Sequence, residues 1–455
     1  MELNKGGGRC AKRCFGDGDR ISRLPDDILV DILSLLSLKE AARTSVLSSR
    51  WINLWKHTPS LNFDAKSSLR KIKKNIKLLK SEGSKYVEWV NSVLQSHKST
   101  TLKEFIIHFR FDITAENSIT QWLEFAFSRQ VQRLELFMEK SGIFYCFPEE
   151  FFSPCSGTEP KLQQPRMLFD FKSLKQLSFK MIIVSDRAIE LFLHNCPLLE
   201  QLIVHYSKKI SKLEVCGPSL MLKHLELYYC MGLESLKISA PRLTTLNVTA
   251  LKAVVLENVP MLVELTGNCD DDSISLRHLI STLSCCISQL ESLNLHLVDQ
   301  YVRHGQETDE LCNFPEMPKL KKLFIEYDDI LGDKSLIRLA ALARASPHLE
   351  EFFFENEWRQ LRKVRPFVNG VIRFQHQHLK VFKFSGYYGR ASDIDFIQYI
   401  LENCDVLEKI IIRPSPSAVS SRVERDRLRR KQIARENAKR DLEPLLPPHV
   451  ELVIL

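Results

Sequence analysis

The stretch Leu222–Leu233, LKHLELYYCMGL, contains the pattern on which most of the chain is built. Leu225 and Leu227 alternate with polar neighbours, as in a strand that is buried on one face only. Cys230 follows at the position where a repeat of this kind turns after its strand. The stretch therefore predicts a short strand and a turn, and such a unit must stack on others because it cannot bury its apolar face alone.

The same spacing recurs along the chain. Cores of the form Leu-x-x-Leu-x-Leu, or close variants of it, begin at Leu102, Val131, Leu174, Leu199, Leu222, Leu233, Leu243, Leu262, Leu290, Leu320, Leu349, Leu379 and Leu407. The last five intervals are 28, 30, 29, 30 and 28 residues. Such regularity predicts a solenoid of stacked repeats.

Helical patterns lie between several of these strands. They cover 185–197, 331–347 and 391–404, and each ends just before the next strand. From Leu222 to Leu243 the spacing is only ten or eleven residues, too short for a helix, so we expect extended segments there. Alternation of strand and helix at this period is typical of leucine-rich repeats. The expected fold class is therefore α/β: an irregular leucine-rich-repeat solenoid whose curved, mainly parallel sheet carries helices and extended segments on its convex face.

A different pattern precedes the repeats, in DRISRLPDDILVDILSLLSLKEAARTSVLSSRWINLWKHTPSLNFD, residues 19–64, here called the N-terminal cassette. It predicts three short helices, of which the second begins at Leu38 because Ser37 and Glu40 have the form of a capping box. Between Ile21 and Trp55, eighteen of thirty-five residues are apolar. So small a unit cannot bury that much apolar surface by itself. It is expected either to cap the following domain or to dock on another protein.

The cassette resembles the plant form of the F-box, in the elements DRIS-LPDDIL, KEA-RTSVLS and RW-LW. That family binds the Skp-type adaptor of a Skp–cullin–F-box ubiquitin ligase, while the remaining chain presents a substrate. Ser37 and Ser49 replace a usual Pro and a usual Lys, and neither change removes an apolar anchor. The resemblance implies adaptor contacts by Leu24, Pro25, Asp26, Ile28, Leu29, Ile32, Leu33, Leu36, Val46, Leu47, Trp51, Leu54 and Trp55.

The tail from about residue 375 (HLKVFKFSGYYGRASDIDFIQYILENCDVLEKIIIR) resembles the FBD region that often closes plant F-box/leucine-rich-repeat proteins. The final HVELVIL is expected to pair as the last strand and to help close the sheet edge. The predicted organisation begins with a disordered tail at 1–18, the F-box-like cassette at 19–64 and a helical linker at 65–99. The solenoid follows at 100–374, and FBD-like repeats with a cap cover 375–455. A basic helical insertion at about 420–440 interrupts this last region.

No motif of a known catalytic chemistry is present: the chain has no Gly-rich phosphate loop, HExxH, GxSxG or CxxC. We therefore expect a non-catalytic subunit without catalytic residues, cofactor or metal. The net charge of +8 is dispersed among 56 acidic residues, which disfavours nucleic-acid binding. No apolar run is long enough to span a membrane. The expected location is the nucleus and/or the cytoplasm, with 427–431 either a nuclear localisation signal or part of a solvated helix.

Target binding is expected on the side of the sheet that faces away from the core. Alternate strand residues point to that side, and aromatic side chains dominate protein interfaces. The predicted substrate-binding residues are His205, Tyr228, His296, Phe324 and Phe353. The leading hypothesis is a substrate-recognition subunit that binds a Skp-type adaptor, through it a cullin, and an unknown protein target. The alternatives are an F-box receptor for a small molecule of the hormone type and a protein-interaction scaffold independent of any ligase.

Overall fold

The computed structural model describes residues 21–111, 115–139, 144–152, 169–269, 276–298, 314–329, 336–358, 375–414 and 424–455. The predicted tail at 1–18 lies outside these residues, as does the beginning of the predicted basic insertion. The described α-helices are α1 (Asp26–Ser34), α2 (Leu38–Arg43), α3 (Lys66–Lys74), α4 (Leu79–Ser96), α5 (Glu116–Ser128), α6 (Asp186–Asn195), α7 (Leu276–Leu283), α8 (Ala340–Arg344), α9 (Ala391–Asn403) and α10 (Glu424–Leu442). Short 3-10 helices include Thr44–Val46 and Trp51–His57 in the cassette.

The repeats supply the strands. In chain order these are β1 (Ser60–Phe63), β2 (Glu104–Phe109), β3 (Arg133–Met138), β4 (Tyr145–Cys146), β5 (Gln176–Lys180), β6 (Ile182–Ile183), β7 (Gln201–His205), β8 (Lys212–Cys216), β9 (His224–Tyr228), β10 (Ser235–Ser239), β11 (Thr245–Val248), β12 (Val254–Asn258), β13 (Glu264–Cys269), β14 (Ser292–Val298), β15 (Lys322–Asp329), β16 (Glu351–Trp358), β17 (Val381–Tyr387), β18 (Lys409–Pro414) and β19 (Glu451–Ile454). Within the described ranges, fourteen form one sheet in the order β1-β2-β3-β5-β7-β9-β11-β13-β14-β15-β16-β17-β18-β19.

Neighbouring strands of this fourteen-stranded sheet, here called the main sheet, are parallel, and equivalent positions of successive repeats lie opposite each other. Leu202 of β7 lies opposite Leu225 of β9, which lies opposite Leu246 of β11. All three leucines are fully buried, whereas the residues that alternate with them are partly exposed. The aligned leucines form one continuous core under the sheet, so the predicted leucine-rich-repeat solenoid is confirmed.

In the middle of the chain, strands replace helices on the convex side. Helix α6 separates β6 from β7, but β8, β10 and β12 follow the next main-sheet strands and pair in parallel with one another. Extended segments thus replace helices on this part of the convex side, as predicted. The stretch that begins at Leu233 was predicted as a repeat strand of the main sheet, and this is wrong: it forms the convex strand β10, and the main-sheet repeat runs from Leu222 to Leu243.

The last strand closes the sheet. β19 pairs in parallel with β18, with Ile410 opposite Leu452. Helix α10 packs on this end through the buried side chains of Ala434, Ala438 and Leu442. The Arg435 side chain also donates a hydrogen bond to the carbonyl of Leu455 at 3.1 Å. Helix and strand together cover one end of the solenoid.

The N-terminal cassette covers the opposite end only in part. Its own small core contains Leu29, Leu33, Ala41, Trp51 and Leu54. Its last residues form β1, the edge strand of the main sheet, with Leu61 and Phe63 in the main core. Leu38 also belongs to the main core, and Trp55 contacts both cores. The ammonium group of Lys39 adds a contact over the ring of Trp89, 4.6 Å from its centroid. Most of the apolar surface of the cassette is therefore left away from the solenoid.

Candidate functional site

The turn between α1 and α2 is held by the predicted capping box. The hydroxyl of Ser37 accepts a hydrogen bond from the backbone N–H of Glu40 at 3.3 Å. The Glu40 carboxylate accepts one from the backbone N–H of Ser37 at 3.1 Å. These bonds to Ser37 hold the pKa of the Glu40 carboxyl below its ordinary value. Side-chain capping thus fixes the turn between the two helices.

A second contact closes the cassette on itself. The guanidinium of Arg50 donates to the carboxylate of Asp26 from Nε at 2.8 Å and from Nη2 at 2.6 Å, and it also donates to the carbonyl of Leu24. Arg50 directly precedes the Trp51–His57 helix, and Asp26 is the first residue of α1. This pair therefore fixes the angle between the first and the third helix. The predicted adaptor contact Asp26 is exposed, but its carboxylate is already bound.

The structure divides the predicted adaptor residues into an interior and a surface. Four of them, Leu29, Leu33, Trp51 and Leu54, are buried, with exposed fractions of 0%, 1%, 5% and 6%. In this chain they pack against one another and support the surface of the cassette, and their contact with an adaptor stays a prediction. The reason for their burial is geometric, because residues four apart lie on the same side of a helix. Leu29 and Leu33 thus face inward together.

The other side of the cassette presents large apolar side chains to solvent. Five predicted residues are exposed, namely Ile28, Ile32, Leu36, Val46 and Leu47, and Pro25 is exposed beside them. Val46 is 87% and Leu47 is 65% exposed. Leu24 and Trp55 are half-buried at the margin. These six exposed side chains, together with those of Ile21, Leu35 and Ile52, are called the cassette surface.

Sequence reasoning missed three members of the cassette surface: Ile21, Leu35 and Ile52. Leu35 is 85% exposed and follows Ile28 by seven residues, which is two turns of a helix. The apolar residues of α1 and the residue after it form two stripes, one buried through Leu29 and Leu33 and one exposed through Ile28, Ile32 and Leu35. Treating them as two stripes instead of one wide stripe would have identified Leu35 as a surface residue. Together, eight large apolar side chains of the cassette are exposed, which is more than isolated surface leucines on a monomer account for.

The second candidate surface is the side of the main sheet that faces away from the core, here called the sheet face. The five predicted substrate-binding residues all lie on it and all are partly exposed. His205 and Tyr228 are paired in register on β7 and β9. His296, Phe324 and Phe353 lie on β14, β15 and β16. The structure thus brings them together as two groups on one face.

Around β7 and β9 the polar side chains of the sheet face form hydrogen bonds with one another. The Glu226 carboxylate is 2.8 Å from Nε2 of His205 and 3.4 Å from Nε2 of His224, and it accepts a bond from the side-chain amide of Asn247 at 3.3 Å. The two imidazoles lower the pKa of Glu226 to about 2, His205 most strongly. His205 is therefore bound to Glu226 in this chain, a partner that the single-strand pattern did not reveal.

Tyr228 belongs to a cluster of tyrosines at the ends of these strands. The rings of Tyr206 and Tyr229 are stacked, with centroids 5.1 Å apart, and Tyr228 packs edge-on against both. Tyr206 and Tyr229 follow their strands with φ of 60° and 51°, in the left-handed region that large side chains rarely adopt. Burial, the neighbouring tyrosines and the Glu326 carboxylate raise the pKa of Tyr228 to about 12. The hydroxyl is neutral at physiological pH.

Around β14–β16 the sheet face combines aromatic and acidic side chains. The rings of Phe324 and Phe353 are stacked, with centroids 4.4 Å apart and planes 10° from parallel. His296 lies beside them, with Nδ1 2.7 Å from the side-chain oxygen of Asn268 and Nε2 3.6 Å from the Asp328 carboxylate. This group contains the aromatic anchors that the sequence predicted.

A cavity of about 840 Å³ opens elsewhere, on the convex side. It lies between α6 and β8 and is lined by Glu190, His194, Cys196, Glu214 and Cys216, among others. Across the part of the chain that the structure describes, no group of three or more His, Cys, Asp or Glu side chains is arranged to hold a metal ion. None of the helices described combines the length and apolar character of a membrane span.

Two family models match this chain. A model of the F-box domain matches residues 21–62, and the model described as At1g61320/AtMIF1, LRR domain matches residues 93–455, most of the chain. Together they cover the cassette and nearly all of the solenoid.

Several proteins of Arabidopsis thaliana are similar to the chain. F-box/LRR-repeat protein At3g26922 is 32% identical over 278 residues, which is 56% of this chain and 85% of that protein. Putative F-box/FBD/LRR-repeat protein At5g62970 is 27% identical across 84% of this chain and 90% of its own length. F-box/FBD/LRR-repeat protein At5g56420 is 25% identical across 88% and 92%. The names of the last two include the FBD region as well as the F-box and the leucine-rich repeats.

Proposed function

The chain belongs to the plant F-box/leucine-rich-repeat proteins with an FBD-like C-terminal region, and on this premise we propose that it is the substrate-recognition subunit of a Skp–cullin–F-box ubiquitin ligase. The cassette surface would bind the Skp-type adaptor, and through it a cullin. The sheet face would bind the protein that is to be ubiquitinated. The chain itself would have no catalytic step, because thioester chemistry resides in other subunits of such ligases.

The observation that carries the proposal is the exposure of the cassette surface. Large apolar side chains in water are unfavourable by about 25 cal/mol per Å² of apolar area. Val46, Leu47 and Leu35 are each more than half exposed, although the cassette has a folded core of its own. A surface of this kind is typical of a site that another protein covers, and in the F-box family that protein is the adaptor.

Replacement of two exposed residues tests this adaptor contact. The double substitution Val46→Glu and Leu47→Glu should reduce binding of a purified Skp-type adaptor by at least about tenfold, since central apolar contacts dominate protein interfaces. The cassette should remain folded, because neither side chain belongs to its core. Titration calorimetry of the full chain with the adaptor measures the loss.

The matched control is Met231→Glu, which changes an apolar side chain of the solenoid that is 72% exposed. Adaptor binding should be unchanged in this variant. If the unaltered chain does not bind any Skp-type adaptor, the proposal is wrong. If it binds the adaptor but cullin is absent from complexes purified from plant cells, the chain acts as a scaffold outside the ligase.

We also propose that the chain works in the nucleus and/or the cytoplasm, where the ligase complexes of this family act on soluble proteins. The exposed cations of α10, including Arg429, Arg430 and Lys431, are the candidate import signal. A fluorescent fusion in which these three residues are replaced by Gln should lose nuclear signal relative to the unaltered fusion. Equal nuclear signal in both would assign the helix to solvation alone.

A further inference from the structure

The sheet face at β14–β16 carries a second property besides its aromatic pair. Two carboxylates on β15 and two on β16 line up in register beyond the rings: Glu326 lies opposite Glu355, and Asp328 lies opposite Glu357. Like charges directly opposite each other on neighbouring strands destabilise a sheet. The arrangement therefore needs either counter-charges from this chain or a partner that supplies them.

Counter-charges are present elsewhere on the sheet face but scarce here. Glu104 has Arg133 at 3.2 Å, and Glu351 has Lys383 at 3.1 Å and Lys322 at 3.7 Å. Within the described ranges, no Lys or Arg lies within 4 Å of the carboxylates of Glu326, Glu355 or Glu357, while Asp328 has His296 at 3.6 Å.

Burial and the neighbouring carboxylates together raise the pKa of Glu326 above its ordinary value. Those neighbours are Glu355, Glu357 and Asp328, and His296 acts in the opposite direction. The group is thus a local excess of negative charge on a face that is partly shielded from water.

The spacing along the strands indicates what this part of the sheet face would bind. Residues two apart on a strand point the same way and are separated by about 6.6 Å. The ring of Phe353 and the carboxylate of Glu355 have this spacing, as do Phe324 and Glu326. An extended segment that runs parallel to these strands would match it with an apolar side chain followed, two positions later, by Lys or Arg.

We propose that the sheet face at β14–β16 binds a target segment of this kind, with its apolar side chain on the stacked rings of Phe324 and Phe353 and its cation between Glu326 and Glu355. This assignment rests on the proposed role in target recognition and names the chemistry of the target. Cationic groups gain additionally from the faces of neighbouring aromatic rings.

A randomised peptide library displayed on phage tests the specificity. With the full chain immobilised, peptides that combine an apolar residue with Lys or Arg two positions later should be enriched. The double charge reversal Glu326→Lys and Glu355→Lys should reduce the affinity of an enriched peptide by about tenfold or more and should shift enrichment toward acidic peptides. Phe353→Ala should reduce the same affinity by about tenfold.

The controls separate this site from other parts of the molecule. Glu214→Lys changes an exposed carboxylate on the convex strand β8, and Phe137→Ala removes a partly exposed ring from β3, at the other end of the same face. Neither control variant should change which peptides are enriched. The milder pair Glu326→Gln and Glu355→Gln tests the charge if the reversed variant does not fold.

The same preparation measures adaptor binding, so the two proposals fail separately. Enrichment of basic apolar peptides that depends on Glu326 and Glu355 supports the assignment, whether or not the adaptor binds. No enrichment, enrichment of acidic peptides by the unaltered chain, or enrichment that the reversed and neutralised variants leave unchanged would overturn it. A fall in folding stability of those variants with unchanged peptide selection would show that the carboxylates serve cations of the chain itself, which also overturns it.

Discussion

At the scale of single residues, two carboxylates on the same sheet face have opposite environments. Glu226 accepts hydrogen bonds from two imidazoles and an amide, and its pKa is lowered. Glu326 lies among other carboxylates, and its pKa is raised. The difference arises from which strands are neighbours, because both residues lie between two apolar residues in their repeats. Glu226 is therefore part of the fold, whereas Glu326 is available to a ligand.

The lowered pKa of Glu226 predicts a pH dependence of stability. Its folded-state pKa, about 2, lies below the ordinary value of 4.5, so the unfolded chain binds more protons between these values. The stabilisation is fully present above about pH 4.5 and is lost as pH falls toward 2, by about 3 kcal/mol. Glu226→Gln should show a smaller loss of unfolding free energy from pH 5 to pH 3 in urea titrations. Equal slopes for the two proteins would contradict the assignment.

Two glycines predict effects of opposite sign. Gly386, at the irregularity in β17, has φ of 90°, and a Cβ there would lie 2.0 Å from the carbonyl oxygen of Asn356. Gly386→Ala should lower the unfolding free energy by about 2 kcal/mol or more. In α4, a Cβ on Gly83 would meet only a ring atom of Phe109 at 4.0 Å. Gly83→Ala should raise stability by about 0.5 to 1 kcal/mol, and chemical denaturation of both variants measures the contrast.

At the scale of elements, the junction between β17 and α9 is fixed by one buried carboxylate. Asp393 is fully buried and accepts hydrogen bonds from the backbone N–H groups of Tyr388, Gly389 and Arg390. The Arg390 guanidinium donates to its other oxygen from Nε at 3.0 Å and from Nη2 at 2.7 Å. This pair turns the chain from the strand into the helix of the FBD-like region.

Removal of this carboxylate should be costly. Asp393→Ala leaves a buried guanidinium and three backbone N–H groups without their acceptor, which predicts a loss of about 3 kcal/mol. Asp405→Ala, an exposed aspartate beyond the other end of α9, is the control and should change stability by less than about 0.5 kcal/mol. Hydrogen exchange of the α9 amides should rise only in the first variant. Equal exchange in both would show that the junction is held by packing alone.

At the scale of the whole molecule, the two ends of the solenoid are capped differently. The C-terminal end is covered by β19 and α10, and the buried residues Ala438 and Leu442 join the main core. The N-terminal end meets a cassette with a separate core and an exposed apolar surface. One end is therefore closed within the chain, and the other presents a surface that we assign to another protein.

Two leucines of α10 test the closure. Leu442 is 1% exposed and Leu428 is 61% exposed. Leu442→Asp places a charge in the core and should release α10 and β19, which exposes the edge of β18 to pairing with other chains. Leu428→Asp should have no such effect. Light scattering and limited proteolysis should show association and faster cleavage within 424–455 for Leu442→Asp alone; the same behaviour in both variants would contradict the docking.

The sequence by itself determined the repeat architecture, the presence of extended convex segments, the capping box at Ser37 and the last strand. These follow from local patterns, because each repeat buries the same alternate positions and the convex strands β8 and β10 alternate in the same way. It also indicated the family through the cassette.

The tertiary structure alone decided which apolar residues of the cassette are covered. Ile28 and Leu29 are equivalent by composition, and only the packing of the third helix against α1 buries one and leaves the other exposed. The structure likewise paired His205 with Glu226 and placed Glu326 opposite Glu355. The register between strands that are some 20 to 30 residues apart sets both contacts, and no pattern within one strand contains that register.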